Sequence, residues 1–156
     1  MWMIYLLYEK YPDVYCLSEK GVHCFKDTHS VKLIDRWCLR YGSSYEGRKA
    51  ACQKVCGIHQ KIPILLSEKT KDILFPLSDI RKDECIWLNY RAIISVKTKK
   101  DSVCILFEDG KTITLHKDIR GIKRQQTICK MFLNSLMKWW NYVISHNFYK
   151  QDSWFY

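Results

Sequence analysis

Apolar residues in this chain fall mostly in short runs separated by polar turn residues, which is the pattern of β-strands. Residues 1–8 are apolar without a break and predict a strand buried on both faces, ending near Glu9. Residues 14–17 and 22–25, joined by Ser-Glu-Lys-Gly, predict a hairpin. Further strands are predicted at 62–66, 73–75, 85–88, 91–96, 103–107 and 112–115. The last two are joined through Asp109-Gly110, a dipeptide suited to a tight hairpin turn. Pro63 and Pro76 belong at strand edges or ends. From about Ile119 the period changes to that of a helix. Ile122, Cys129, Phe132, Leu133, Leu136, Trp140 and Val143 fall on one stripe, predicting a long amphipathic helix over 121–145. Ile128, Met131, Trp139 and Tyr142 widen the apolar surface, which leaves either a broader buried face or a self-association surface. The fold class is α+β: a mostly antiparallel β-sheet domain over 1–145, with two short helices near 36–51, the long helix, and an aromatic tail at 146–156.

Residues 35–63 concentrate glycines, hydroxyls and cations. Asp35 suits the N-cap of a helix running through Tyr41, and Gly42 the left-handed position past its end. Ser43 or Ser44 suits the cap of a second helix from Tyr45 to about Ala51. On this reading the Gly-Ser-Ser break leaves N–H groups unpaired at a helix N-terminus, beside Arg48 and Lys49, ready for an anion. A plain capped turn with solvated cations has the same pattern.

The 156 residues make one domain the economical count, and the formal net charge of +10 points to an acidic partner, nucleic acid or an anionic membrane surface. The charge is blocked. Residues 30–62 carry seven Lys/Arg against two acids, 81–100 six against two, and 117–138 six against one. A basic face follows if folding gathers these blocks. Lys97-Thr98-Lys99-Lys100 is placed at a hairpin tip, either reaching a phosphate backbone or simply solvated. Residues 1–8 are too short to span a bilayer, and no basic residue precedes them as in a signal peptide. With eight cysteines expected to be free, this indicates a cytoplasmic protein without a membrane partner. There is no Cys-x-x-Cys, and most thiols sit at apolar positions as small hydrophobes. Cys52-x3-Cys56-x2-His59, with Cys38, comes nearest to metal spacing but lacks two close ligand pairs, so neither metal nor cofactor is expected. Gly42 to Gly47 is not a Gly-x-Ser-x-Gly elbow, and no nucleotide loop or His-Glu-x-x-His is present. Cys56 and His59 are the only local thiol–imidazole candidate, and no enzyme is expected.

Ile34-Asp35-Arg36, Gly42-Ser43-Ser44-Tyr45, Gly47-Arg48-Lys49-Ala50, Leu74-Phe75-Pro76, Cys85-x-Trp87 and Gly110-Lys111-Thr112 follow one another at compatible spacing over about 31–133. Together they resemble the ComK family of competence transcription factors. The resemblance implies activation of DNA-uptake genes by binding double-stranded DNA at paired A/T-rich promoter boxes. Binding would be through the minor groove, as dimers of dimers, at the nucleoid and with RNA polymerase as a further partner. A/T tracts have a narrow, strongly negative minor groove that favours inserted Arg. Arg48 is the candidate for insertion; Ser43, Ser44, Lys49 and Lys54 would hold phosphates, flanked by Arg36, Arg40 and Lys61, with Lys97, Lys99 and Lys100 adding contacts. Arg36 has a competing structural role beside Asp35 and Trp37, while Trp37, Tyr41 and Tyr45 are assigned to packing. Ile128, Met131, Trp139 and Tyr142 are the self-association candidates. Members of the family are delivered to a Clp protease by an adaptor, partly through a C-terminal motif with aromatic, proline and lysine residues. Phe148-Tyr149-Lys150 echoes it without the proline. Two other classes stay open. One is an RNA-binding module, which would expose an aromatic platform, and no paired exposed aromatics are evident in the strands. The other is an interaction protein that keeps the fold without DNA binding.

Overall fold

The computed structural model describes residues 2–78, 80 and 84–147. Strands β1 (Ile4–Lys10), β2 (Asp13–Ser18), β3 (Gly21–Phe25), β4 (Ile64–Ser67), β5 (Asp72–Pro76) and β6 (Ile86–Asn89) form an antiparallel sheet in the order β3-β2-β1-β6-β5-β4. Strands β7 (Ile93–Lys99), β8 (Ser102–Phe107) and β9 (Thr112–Leu115) form a second antiparallel sheet. Helices α1 (Ser30–Arg40), α2 (Tyr45–Cys56) and α3 (Ile119–Asn147) complete the α+β architecture that the apolar pattern predicts.

The large sheet separates two cores, and this explains its unbroken apolar runs. On one face Ile4, Leu7, Val14, Ile64, Leu66, Leu74 and Trp87 pack with Leu33, Ile34 and Cys38 of α1. On the other, Tyr5, Leu6, Leu65, Ile73, Phe75 and Leu88 meet Val96, Val103, Ile105 and Phe107 of the small sheet and Ile122, Cys129 and Phe132 of α3. A register irregularity between Ile4 and Leu6 lets the neighbours Tyr5 and Leu6 enter the same core. Helix α2 packs against the edge strand β4, with Tyr45 in one core and Cys52 in the other. The cysteines are free thiols. Burial pushes Cys16 and Cys52 up to about 12, so both behave as inert core residues.

Three polar contacts tie the layers. The Trp87 indole donates to Ser30 Oγ at 2.9 Å, and Ser30 Oγ donates in turn to Glu9, joining β6, α1 and β1. Asp72, 6 % exposed, accepts from Asn89 Nδ2 and from Arg91 Nε, both at 2.9 Å. Asn89 also donates to the Ile4 carbonyl at 2.7 Å. Lys111, just past the predicted Asp109-Gly110 turn, lies 5.7 Å from the Tyr5 ring centroid and donates to the carbonyls of Ser18 and Glu19.

Two sequence expectations are corrected. Lys97 and Lys99 are not loop residues: β7 runs through Lys99, which pairs with Ser102, and only Lys100 and Asp101 form the turn, Lys100 with φ +52°. The alternation continues further than the apolar residues alone reveal. The long helix buries only its first half. Ile122, Cys129 and Phe132 are buried and Leu133 and Leu136 half-buried, but Trp140, placed on the inward stripe, is 58 % exposed. At about 1.5 Å per residue, α3 outruns the sheet that covers it.

Replacing Asp72 by Ala leaves the buried Asn89 amide with one acceptor, the Ile4 carbonyl, in place of two and the Arg91 guanidinium without its partner, and is expected to lower unfolding stability by about 2 kcal/mol. Urea denaturation of the purified variant measures this. Asp72→Asn, which retains an acceptor, should lose less, and equal losses would mean that the contacts to Asn89 and Arg91 do not carry the effect.

Candidate nucleic-acid interface

The segment joining α1 and α2 is built differently from its sequence reading. Helix α1 begins at Ser30, five residues before the predicted cap, with His29 as N-cap accepting from the Lys32 amide at 3.4 Å. Asp35 is therefore inside α1, and the cap assignment is corrected. Its Oδ1 instead accepts from the Tyr45 N–H, the first amide of α2, at 2.8 Å. Gly42 has the expected positive φ of +78°. Ser44 is the N-cap of α2, its Oγ accepting from Gly47 at 3.0 Å. The Gly42 and Ser43 amides donate to Leu39 and Cys38, and that of Arg48 to Ser44. The expected row of unpaired amides is thus absent at Gly42, Ser43, Tyr45, Gly47 and Arg48, and the carboxylate of Asp35 supplies the negative group at the helix N-terminus. A Cβ on Gly47 would lie 3.2 Å from both Ser43 Oγ and Ser44 Oγ, so this position is confined to glycine or a displaced cap.

The cations divide into displayed and engaged. Arg36 and Arg40 are exposed on α1, Lys54 on α2 and Lys61 in the loop after it, while Lys49 is half-exposed. Arg48 does not project. Its side chain is 13 % exposed, its Nη1 donates to Glu68 Oε1 at 3.0 Å, and its buried Nε has no partner among the described residues. Trp37 packs edge-on against Phe25, and Tyr45 is buried, as their packing assignment requires; Tyr41, 37 % exposed, ends α1.

Two of the three charge blocks meet. Gln125 of α3, buried and missed by the sequence reading, donates from Nε2 to the carbonyls of Lys61 and Pro76, both at 2.8 Å. This seats the α2–β4 loop beside the exposed Lys123 and Arg124. A polar residue on an apolar helix stripe was the available signal. The middle block does not join them as a unit. Arg91 is held by Asp72, and Arg81 and Lys82 lie outside the described residues. Lys97 and Lys99 belong to the small sheet, in the layer opposite α1, on a face shared with Ser102, Cys104, Thr112 and Thr114.

That small-sheet face carries no aromatic ring. On the large sheet the directly paired Tyr8 and Tyr15 stack at 5.1 Å but are half-buried, with Tyr8 packed against the core. Each ring occupies a face of the other, so the pair is not an open platform. Of the self-association candidates, Met131, Trp139 and Tyr142 are 44, 61 and 58 % exposed and Ile128 is half-buried. Phe148, Tyr149 and Lys150 lie outside the described residues, as does the rest of the tail after Asn147. Among the described residues no three His, Cys, Asp or Glu side chains gather to hold a metal ion, and no helix is long and apolar enough to cross a membrane.

A family model described as the ComK protein matches residues 8–138. The competence transcription factor of Bacillus subtilis (strain 168) is 32 % identical over 110 residues, covering 70 % of this chain and 57 % of that protein. The chain therefore spans a little over half the length of this relative. No solved structure gives a significant match.

Removing the Asp35 carboxylate as Asp35→Ala is expected to cost about 1 kcal/mol or more, because the first amide of α2 loses its acceptor. Chemical denaturation monitored by circular dichroism measures it. Stability equal to the parent chain would show that the α1–α2 junction does not depend on this contact.

Proposed function

The chain belongs to the ComK family, and from that premise we propose that it is a transcription activator of competence genes that binds double-stranded DNA at A/T-rich promoter boxes through the minor groove. The observation that carries the reading is the display of Arg36, Arg40, Lys54 and Lys61 on and beside two helices that pack together, adjoining Lys123 and Arg124 of α3. Such a surface neutralises phosphates along one side of a duplex. Lys49 and Ser43 add contacts near the start of α2, whereas the Ser44 hydroxyl serves chiefly as cap. Lys97, Lys99 and Lys100 form a second contact on the small sheet. The protein acts in the cytoplasm at the nucleoid, without catalysis.

Arg48 enters the groove once it leaves Glu68. The Glu68 side chain is 73 % exposed, so its carboxylate stands in water whether or not it is paired. Self-association on DNA uses the second half of α3. Met137, Trp139, Trp140, Tyr142 and Ile144 are each 47 to 61 % exposed, far more apolar surface than a helix in water leaves open. Control by a proteolytic adaptor through Phe148, Tyr149 and Lys150, and contact with RNA polymerase, belong to the same reading.

Binding to a duplex with two phased A/T boxes, a G/C-scrambled duplex and single-stranded RNA tests it. The A/T duplex should be preferred at near-physiological salt, with log affinity falling by about 0.9 per phosphate contact per log unit of salt. Equal, weak and salt-labile binding to all three would overturn the reading. Glu68→Ala should tighten A/T binding several-fold, and Arg48→Ala in that background should abolish the gain and erode A/T preference. Persistence of the gain without Arg48 would reduce Glu68 to a repulsive charge. Trp139→Ala combined with Trp140→Ala should dissociate the assembly in sedimentation on DNA while leaving the fold intact by circular dichroism.

A further inference from the structure

Beside the start of α2 lies a cavity of about 380 Å³ that shares Lys49 and Lys61 with the DNA reading and adds His59 and an apolar wall to them. Lys49 reaches it from α2, and His59 and Lys61 reach it from the loop before β4, while Tyr45, Ile62 and Ile80 supply an apolar wall. None of its described lining residues is acidic. The loop side is held in place. Lys61 has φ +50°, a conformation uncommon for a residue with a side chain, and its carbonyl is fixed by Gln125, which is 5 % exposed. Three basic residues from two elements, two of them on a loop pinned from the core, line a volume larger than one phosphate group fills and within the range of small-ligand sites.

We propose that this cavity binds a phosphate-bearing ligand, with the oxyanion between Lys49 and Lys61, His59 as a further nitrogen contact, and an attached organic group against Tyr45, Ile62 and Ile80. The shared chemistry is a phosphate ester. Its source is either a free organic phosphate of nucleotide size or a phosphodiester of a bound duplex, and the two are separable by competition. Lys61 is a ligand contact, and Gln125 is a positioning residue acting through its carbonyl.

The test uses the isotope-labelled full chain and amide shifts of residues 45–62, at constant ionic strength. Adenosine 5′-monophosphate should shift these amides saturably, inorganic phosphate should do so more weakly, and adenosine should not. Lys49→Ala and Lys61→Ala should each weaken binding roughly tenfold or more, the loss of one charged hydrogen bond. Lys138→Ala, on exposed α3, should leave it unchanged. Displacement of the nucleotide by the A/T duplex would assign the pocket to the DNA backbone, and simultaneous binding would assign it to a free phosphate. The absence of saturable shifts with both phosphate probes, or parental affinity in the Lys49→Ala, Lys61→Ala double variant, would overturn the inference. A chain that takes the nucleotide but no duplex would overturn the DNA reading alone, and one that binds the duplex with no phosphate response would overturn the pocket alone.

Discussion

The junction of α1 and α2 is anchored by a hydrogen bond from the Tyr45 amide to the Asp35 carboxylate. It fixes where α2 starts relative to α1, and so where Lys49 and Lys54 stand relative to Arg36 and Arg40. The same carboxylate answers the positive end of α2 from inside the chain. The amides of Gly42, Ser43, Tyr45, Gly47 and Arg48 are thus satisfied within the chain. This is a different physical basis from the amide cradle that Gly-Ser-Ser suggests.

The strands were largely legible because each lies against a core on at least one face. Residues 64–66, 73–75 and 87–88 are buried and read as unbroken apolar runs, while Val103, Ile105 and Phe107 alternate with half-exposed neighbours. What failed was local chemistry with two solutions. Asp35 has the right type for an N-cap, but the true cap is His29, a residue with weaker cap preference, and the carboxylate acts ten residues along the chain. Trp140 has the right phase for the core, but phase says nothing about where the covering sheet ends. Arg48 and Arg36 look alike in sequence. Only the fold brings Glu68 to one and leaves the other in water.

The small sheet illustrates the same limit from the opposite side. Lys97 and Lys99 look like a loop because lysines mark turns, yet they occupy outward positions of β7 opposite Cys104 and Ser102. A strand position orients each lysine away from the core and at a fixed spacing from its neighbour two residues on, which a flexible tip would not do. Their placement in the layer opposite α1 means that the two sets of exposed cations belong to different elements.

Net charge is therefore a poor measure of what this protein presents to a partner. Arg48 is tied to Glu68, Arg91 to Asp72, Lys111 to Asp109 and the Ser18 and Glu19 carbonyls, and Arg120 to Asp118. These cations hold the hairpins and helix ends in place. Of these pairs, the one with the strongest geometric reason to persist is Arg91 with Asp72, where the carboxylate is 6 % exposed and also satisfies Asn89. In the Arg48–Glu68 pair the guanidinium is largely buried, its side chain 13 % exposed, while the carboxylate is 73 % exposed and stands in water. The same residue types thus divide into cations anchored to a buried partner and cations whose partner stands in water.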